Sequence, residues 1–403
     1  MRVLLIAGEY PPMEGGVGDY TRLLAEALAA QGTPAAPIEV HVLTSARAEM
    51  NDDRTAPVVR HALMRAWGFR PLYATVARLQ RDLAPEIIHI QYQAACYGLH
   101  PAINLLPRWL RLTARAHTGV RPHSSAACVT TFHDLLTPYL FPKAGGVRWR
   151  SVLAMARGSH ASIVTNVQDE QRLEAAGGVP LLARIPIGSN VPCVLPDGYD
   201  RGAWRRRWGV PDDALLLCYF GFLNASKGGD ELIEALERVV RAGIDAHLLF
   251  VGGAVGASDA TNSAYWSQVQ GSIAARGLAE RVHTSGFLLP EEVSASLCCA
   301  DLCVLPYRDG ASFRRGSLLA ALEHGLAIVS TTPQVEVPEL RDGENTLLTA
   351  PNDAAALSAA ILRLAGDAPL RARLGAGARA LSRRFGWEQI AARTLEVYHA
   401  LLD

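Results

Sequence analysis

The sequence lacks the marks of several protein classes. No run approaches the roughly 20 apolar residues that span a bilayer. The seven cysteines have no framework spacing, so we expect core thiols in a reducing compartment. Lys+Arg and Asp+Glu are equal at 39 each, so bulk charge does not indicate nucleic acid as a partner. The first residues, Met1–Gly8, are typical of a strand rather than a signal peptide. We therefore expect a cytoplasmic protein that is attached to a membrane only at its surface, if at all.

Motifs for several chemistries are also missing. No cluster of His, Cys and acidic residues has metal-ligand spacing, and the adjacent pair Cys298-Cys299 does not supply it. No Gly-x-Ser-x-Gly nucleophile elbow occurs. The Gly15–Gly18 loop follows Pro11-Pro12 rather than the first strand directly, so it is not a dinucleotide fingerprint.

The neutral overall charge hides a local basic stretch, because acidic residues are absent between Glu86 and Asp134. Within it Leu105–Ala116 has helical spacing, and four arginines occur at Arg108, Arg111, Arg115 and Arg121. A basic helix with leucine and tryptophan can lie in a lipid headgroup layer. The alternative is an ordinary helix whose apolar residues face the core and whose arginines are solvated. The sequence leaves both interpretations open, so peripheral membrane contact through Arg108–Arg121 is one expectation.

The 403 residues are too many for one ordinary core, and 49% of them are hydrophobic, so two globular domains are expected. Short apolar runs alternate with amphipathic stretches, which predicts an α/β fold with parallel sheets covered on both faces. A loop-rich break at 188–198 separates two such series. We predict one Rossmann-like domain over 1–192, completed by a C-terminal helix at 386–403, and a second over 193–385, with a cleft between them.

The predicted elements place glycine loops at strand ends, where open sheets bind ligands. The predicted strands are Val3–Ala7, Ile38–Leu43, Ile87–Gln91, Ala127–Phe132, Ser162–Thr165, Ala183–Ile187, Leu215–Phe220, His247–Val251, Val282–Ser285, Leu302–Leu305, Ala327–Ser330 and Asn345–Leu348. The clearest predicted helices are Gly18–Gln31, Leu72–Leu83, Trp149–Gly158, Gly229–Ala242, Asn262–Arg276, Glu291–Ala300, Ser317–Glu323 and Trp387–Leu402.

Four charged residues at three helix ends oppose a helix dipole, which is unfavourable for stability and useful for binding. Lys227 begins one helix beside Gly228, and Arg314-Arg315 precede Gly316 at the start of another. Both predict phosphate contacts, since a helix N-terminus binds anions and arginine forks bind phosphate oxygens. Glu323 ends the second helix and is a candidate acceptor for sugar hydroxyls. The alternative for each is a solvated surface charge with no role in binding.

Two histidines follow or lie in buried strands. His133 comes directly after the strand that ends at Phe132 and is predicted to point into the cleft. A lone histidine is more often structural. His89 alternates with Gln91 on one face of a strand and is interpreted as a core residue.

Taken together these segments resemble retaining glycosyltransferases of GT-B fold, family 4, also described as glycosyl transferases group 1. The resemblance covers nearly the whole chain. It rests, in chain order, on 9–18, 132–134, 187–191, 221–228, 251–253, 282–288, 300–306, 338–345 and 385–387.

The resemblance implies two Rossmann-like domains, a nucleoside diphosphate sugar as donor, UDP- or GDP-linked, and a glycan, lipid-linked or small-molecule acceptor. It implies metal-independent transfer without a cofactor. The implied catalytic residues are His133 and Lys227; Arg315 is added to these, and to the donor-binding residues below, because its own guanidinium can bind phosphate oxygens. The implied donor-binding residues are Gly16, Gly221, Lys227, Gly252, Gly286, Phe287, Leu288, Arg315, Gly316, Ser317, Leu318 and Glu323.

Two positions depart from the family pattern. Arg315 stands where the family usually has the first glutamate of Glu-x7-Glu, and Phe222 stands where it usually has arginine. We interpret the pair as a relocated charge, with the guanidinium missing at 222 regained at 315. Loss of the donor site is the alternative. A non-catalytic or epimerase-type GT-B protein that binds a nucleotide sugar is the competing function.

Overall fold

A computed structural model describes residues 1–13, 15–48, 57–116, 126–135, 145–252 and 260–403. The chain divides into two compact units, one of residues 1–188 with 386–403 and one of residues 189–385. The sequence boundary after 192 lies four residues beyond this division (192 − 188), and the expected return at 386 coincides with it.

The first unit contains one parallel sheet of seven strands in the order β3-β2-β1-β4-β5-β6-β7. Its strands are β1 (Arg2–Ala7), β2 (Glu39–Ser45), β3 (Val58–Met64), β4 (Ile87–Tyr92), β5 (Ala127–Phe132), β6 (Ala161–Val164) and β7 (Leu182–Arg184). Its helices are α1 (Gly16–Ala30), α2 (Phe69–Leu83), α3 (Ala102–Ala116), α4 (Gly145–Gly158), α5 (Val167–Ala176) and, at the end of the chain, α13 (Trp387–Leu402).

Helices cover both faces of this sheet, so its central strands are buried along their whole length. Every residue of β4 is buried. One core cluster includes Leu72 of α2 and Leu106 of α3, and the other includes Leu24 of α1 and Tyr398 of α13. The C-terminal helix therefore belongs to the core of the first unit.

The second unit repeats the pattern with a parallel sheet of six strands in the order β10-β9-β8-β11-β12-β13. Its strands are β8 (Leu215–Phe220), β9 (Ala246–Val251), β10 (Val282–Thr284), β11 (Leu302–Leu305), β12 (Ile328–Thr331) and β13 (Leu347–Thr349). Its helices are α6 (Arg201–Arg207), α7 (Gly229–Arg241), α8 (Ala260–Ala275), α9 (Pro290–Cys298), α10 (Gly316–Glu323), α11 (Ala354–Gly366) and α12 (Ala368–Ser382).

The strand order of each sheet reverses once, between β1 and β4 and between β8 and β11. Loops at the carboxyl ends of such neighbouring strands leave in opposite directions and form the usual ligand crevice of doubly wound sheets. The predicted parallel α/β architecture is confirmed in both units.

Three differences from the predicted elements have physical causes. Strand β3 was not predicted, because it pairs only with β2 and carries polar residues along a partly exposed edge. Strand β7 ends at Arg184 because Pro186 cannot donate to a ladder. Strand β13 begins at Leu347, later than predicted, because the Asn345 side chain closes a turn with the backbone of Arg341 and Glu339.

Candidate functional site

The loop that follows β8 is shaped by two glycines. Gly221 has φ 101° and donates its amide to the Val251 carbonyl at 3.3 Å. Gly228 has φ 70°, and a Cβ there would lie 2.0 Å from the Pro306 carbonyl oxygen. Only glycine combines that conformation with so close an approach. Between them Asn224 accepts hydrogen bonds from the amide and the hydroxyl of Ser226, which fixes the short helical turn that carries Lys227.

Lys227 and Arg315 meet at one aromatic ring. Lys227 Nζ lies 5.0 Å and Arg315 Cζ lies 5.1 Å from the ring centroid of Tyr307, both within cation–π range. Tyr307 follows β11 by two residues and is fully buried. Arg315 also forms an ion pair with Asp309. The site thus holds two cations and one carboxylate, an excess of positive charge that suits an anion.

The Lys227 ammonium group loses its proton more easily in this site than a solvated lysine does. Burial, with the neighbouring Arg315 guanidinium as a smaller cause, lowers the Lys227 pKa to about 7, and Asp309 offsets part of the effect. Lys227 and Lys143 are the only two lysines among the 39 basic residues. The chain otherwise uses arginine, whose charge is not sensitive to its surroundings in this way.

Helix α10 begins beside these cations. Arg315 is its N-cap and caps no amide with its side chain, while the Leu318 and Leu319 amides donate to the Arg315 carbonyl. No described residue accepts from the amides of Gly316 and Ser317. The Ser317 hydroxyl is 2.7 Å from the Tyr307 hydroxyl. A Cβ at Gly221 would touch Ser317 at 3.6 Å, so the β8 loop and the helix start are neighbours.

A second part of the predicted donor site lies at the ends of β9 and β10. Gly252 and Gly286 form an isolated β-bridge, and Ser285 accepts from the Gly252 amide at 2.9 Å. Phe287 is 78% exposed, whereas Leu288 is buried. The Gly221–Val251 hydrogen bond joins this part to the Lys227 loop. The structure therefore brings ten of the predicted donor residues to one edge of the sheet, namely Gly221, Lys227, Gly252, Gly286, Phe287, Leu288, Arg315, Gly316, Ser317 and Leu318.

Glu323 is not at the start of α10 but at its last position, about 10 Å along the axis from Gly316. Its carboxylate lies 3.5 Å from Arg379 of α12 and is one-third exposed. The structure thus does not place this carboxylate beside the two cations.

In the first unit His133 follows β5, as predicted. Its Nε2 lies 3.0 Å from Gln91 Oε1, and its ring packs edge-on against Tyr20 with 4.6 Å between centroids. Burial lowers the His133 pKa to about 3. The imidazole is therefore neutral at physiological pH and suited to hydrogen bonding rather than to taking up a proton.

The glycine loop at Gly16, which the resemblance assigns to donor binding, holds a carboxylate of its own chain. Helix α1 begins at Gly16, and the amides of Val17 and Gly18 both donate to Glu9 Oε1, at 3.1 and 3.2 Å. A Cβ at Gly15 would lie 2.2 Å from the same oxygen. The carboxylate of Glu9 thus occupies the anion-binding end of this helix.

Tyr307, Arg308 and Asp309 are parts of this site that were not predicted from the sequence. The Arg308 amide donates to the Ser226 carbonyl, and its guanidinium binds Asp230 and Glu231 of α7, so this residue anchors the Lys227 loop. These residues follow β11, the strand at which the sheet order reverses, but only the pairing of the sheet shows that reversal.

No group of three or more His, Cys, Asp or Glu side chains is placed to share a metal ion in the described part of the chain. None of the described helices is both long and apolar enough to cross a membrane.

Part of the second unit matches a known protein family. Residues 214–367 match the family model described as glycosyl transferases group 1. A D-inositol 3-phosphate glycosyltransferase of Xylanimonas cellulosilytica is 30% identical over 216 residues, which are 53% of this chain and 49% of the relative. One of Geodermatophilus obscurus is 27% identical over 82% of this chain and 70% of its own length. The chain spans about half the length of the first curated relatives that it matches.

Solved structures share the fold over the whole chain. Sucrose-phosphate synthase from Thermosynechococcus elongatus superposes with a TM-score of 0.75 at 21% identity, covering 100% of this chain and 99% of that one. Anabaena HepE in complex with UDP and glucose gives 0.73 at 19% identity, covering 99% and 100%. The predicted resemblance and the GT-B class of fold are confirmed.

Proposed function

We propose, from the premise that the second unit is a group 1 glycosyl transferase domain, that this protein transfers a sugar from a nucleoside diphosphate sugar to an acceptor hydroxyl with retained configuration. The observation that carries the proposal is the pair of cations, Lys227 and Arg315, on the ring of Tyr307. They lie where the strand order of the sheet reverses, beside a helix start with uncommitted amides.

The diphosphate of the donor would lie between these groups. Its charge matches these two cations, of which Arg315 alone has an ion-pair partner among the described residues. The amides of Gly316 and Ser317 would donate to its oxygens, as helix N-termini do to phosphates. Phe287, exposed beside Gly286, would flank the base. Glu323 remains the residue that the resemblance assigns to the ribose.

The same groups would lower the barrier to transfer. When the bond between the anomeric carbon and the diphosphate breaks, negative charge grows on the leaving oxygen, and preorganised cations and amides stabilise that charge without reorganisation. No metal or cofactor is part of this proposal. His133 would contact a sugar hydroxyl as a neutral imidazole. The proton of the acceptor hydroxyl would pass to the departing diphosphate, the base that the reaction itself produces.

The relatives suggest the first acceptor to examine, since their names give inositol 3-phosphate as substrate. A lipid-linked acceptor at the cytoplasmic face of a membrane is the other proposed class. It rests on α3, where Leu105, Arg108 and Leu112 are all exposed and recur at helical spacing. Arg111 does not join them, because its guanidinium donates to the Ser159 carbonyl at 2.7 Å. The side chain of Arg115 and the whole of Arg121 lie outside the described residues.

The test begins with thermal shift against UDP-, GDP- and ADP-sugars. The donor that stabilises the protein is then incubated with D-inositol 3-phosphate, and the product anomer is read by NMR. Transfer with a retained anomeric centre, lost in Lys227→Ala, supports the proposal. Donor binding without transfer to any acceptor favours a non-catalytic binding protein, and a changed donor sugar without an acceptor favours an epimerase.

A further inference from the structure

A line of buried polar side chains connects His133 with the C-terminal helix α13. His133 Nε2 lies 3.0 Å from Gln91 Oε1, and Gln91 Nε2 lies 3.3 Å from His89 Nε2. His89 Nδ1 in turn lies 2.6 Å from the hydroxyl of Tyr398. Gln91, His89 and Tyr398 have no solvent exposure.

These positions are unusual for polar residues. Gln91 and His89 alternate along β4, so they share one face of a central strand that is covered on both sides. Such strands are normally continuous apolar runs. A buried polar group is costly unless it is hydrogen-bonded, and a fully satisfied chain of them specifies one arrangement. The hydrogen bonding among these buried polar side chains is therefore the property that needs an explanation.

The amide of Gln91 determines which groups along this line donate hydrogen bonds and which accept them. Its oxygen can only accept and its nitrogen can only donate. In this orientation His133 carries its proton on Nε2, and His89 presents an unprotonated Nε2 to Gln91. His89 then carries its proton on Nδ1 and donates it to Tyr398. Thr131 Oγ1, 2.7 Å from His89 Nε2, shares the single lone pair of that nitrogen with the Gln91 amide.

We infer that Gln91, His89 and Tyr398 form a positioning relay that holds His133 as its Nε2–H tautomer and presents Nδ1 to a hydroxyl of the bound sugar. The inference rests on the proposed function, because a sugar hydroxyl is the group that Nδ1 would accept from. The three relay residues touch no substrate and act only through His133.

The surroundings keep the relay uncharged. Burial lowers the pKa of His89 to about 3, as it does that of His133. The titratable groups that the structure places near His133 are His89 of β4 and Tyr20 of α1. Asp134 is its neighbour along the chain. Burial raises the Tyr20 pKa above its ordinary value, so that ring is neutral too. A carboxylate at position 91 would place a negative charge within hydrogen-bond distance of His133.

The experiment compares Gln91→Glu and Tyr398→Phe with the wild type and with a matched control, Tyr92→Phe. Tyr92 is a buried tyrosine of the same strand whose hydroxyl accepts from Asn104, away from the relay. Each full-length protein is labelled with ¹⁵N-histidine, and long-range ¹H–¹⁵N spectra distinguish the two neutral tautomers from imidazolium. A His133→Gln sample identifies the His133 signals among those of the 12 histidines.

We expect the wild type and Tyr92→Phe to show His133 as Nε2–H with no titration from about pH 5 to 8. In Gln91→Glu the carboxylate favours imidazolium, so His133 should titrate in that range. Below the new pKa, kcat/KM should fall about tenfold or more, because imidazolium cannot accept from the hydroxyl, and it should recover above. Tyr398→Phe should give mixed tautomers and about a fivefold loss at every pH, the size of one hydrogen bond.

A wild-type His133 found as Nδ1–H, or relay variants that leave its spectrum unchanged, would overturn the relay. The tautomer spectra are recorded without sugar transfer, so they test the relay separately from the proposed function. An Nε2–H tautomer in a protein that transfers no sugar counts against the function. Sugar transfer by a protein with the Nδ1–H tautomer counts against the relay.

Discussion

Lys227 and Arg315 place their cationic groups 5.0 and 5.1 Å from the centroid of the same ring, that of Tyr307. Two like charges in a half-buried site disfavour each other unless an anion joins them. The free protein therefore holds a site whose electrostatics improve when a diphosphate binds. Asp309 moderates this effect, since it forms an ion pair with Arg315 and raises the Lys227 pKa.

Removing the lysine should weaken nucleotide binding. A charge-assisted hydrogen bond contributes about 1.5–3 kcal/mol, so Lys227→Ala should raise the Kd for the preferred nucleoside diphosphate about ten- to a hundredfold. Calorimetry with UDP and GDP measures the change. Lys143→Ala, which alters the chain's other lysine, is the matched control. Unchanged affinity in Lys227→Ala would remove this residue from the site.

Donor affinity should depend on pH through Lys227. Its pKa of about 7 in the free protein means that the lysine loses its proton as pH rises above 7. Binding a diphosphate requires the charged form, so affinity should be flat below about pH 6.5 and fall by up to tenfold per pH unit above 7. A nucleotide sugar is the ligand of choice, because its diphosphate keeps its charge throughout. Only two lysines occur, so ¹³Cε-lysine NMR can follow Lys227 directly. A titration near the ordinary value of 10.5 would contradict the prediction.

Much of this site was predictable because it follows from chain order. Lys227 and Arg315 each stand at a strand-to-helix junction, and parallel strands bring such junctions to one edge. Tyr307 carried no such local signal. Its role comes from the reversal of strand order between β8 and β11, which only the pairing of the sheet reveals. The same holds for Glu9, whose carboxylate reaches the start of α1 across a loop.

Restoring the family glutamate at 315 should not raise activity. Arg315→Glu would remove one cation and set a carboxylate beside Asp309 and the diphosphate, where like charges repel. We expect kcat/KM to fall about tenfold or more. The double variant Phe222→Arg/Arg315→Glu should recover part of the loss, since Phe222 is half-exposed in the adjoining loop. Faster turnover in the single variant would show that Arg315 is a damaged remnant, and no recovery in the double variant would refute charge relocation.

Gly228→Ala should disturb the site far more than its backbone conformation alone explains. Gly228 and Gly198 both have φ 70°, but a Cβ meets the Pro306 carbonyl at 2.0 Å in the first and nothing within 4 Å in the second. The shared conformation costs about 1–2 kcal/mol. Gly198→Ala should show only that loss of unfolding free energy. Gly228→Ala should lose more and should bind the donor weakly, because the Lys227 loop must move. Equal effects in thermal unfolding and calorimetry would show that the close approach is unimportant.

The partners of the arginines in α3 could not be predicted from the sequence, because they depend on packing. The Leu105–Ala116 pattern predicted a helix and a set of arginines on one face, but not which of them would serve the fold. The structure separates them, since Arg111 binds the Ser159 carbonyl whereas Arg108 is exposed. Periodicity gives the face of a helix, while the partner on the neighbouring helix depends on packing.

Three exposed residues of α3, Leu105, Arg108 and Leu112, allow a specific test of the proposed membrane contact. Leu105 and Leu112 are 36% and 56% exposed, and Arg108 lies between them on the same face. A basic residue near an anionic surface contributes about 1 kcal/mol, and exposed leucines add apolar burial. The variant Arg108→Glu/Leu112→Ser should therefore co-sediment less with anionic vesicles at low salt, by about tenfold. Arg373→Glu, which makes the same charge change at an exposed position of α12, should leave sedimentation unchanged. Equal recovery of the wild type with neutral and anionic vesicles, at low and high salt, would exclude this surface as a membrane contact and favour a water-soluble acceptor.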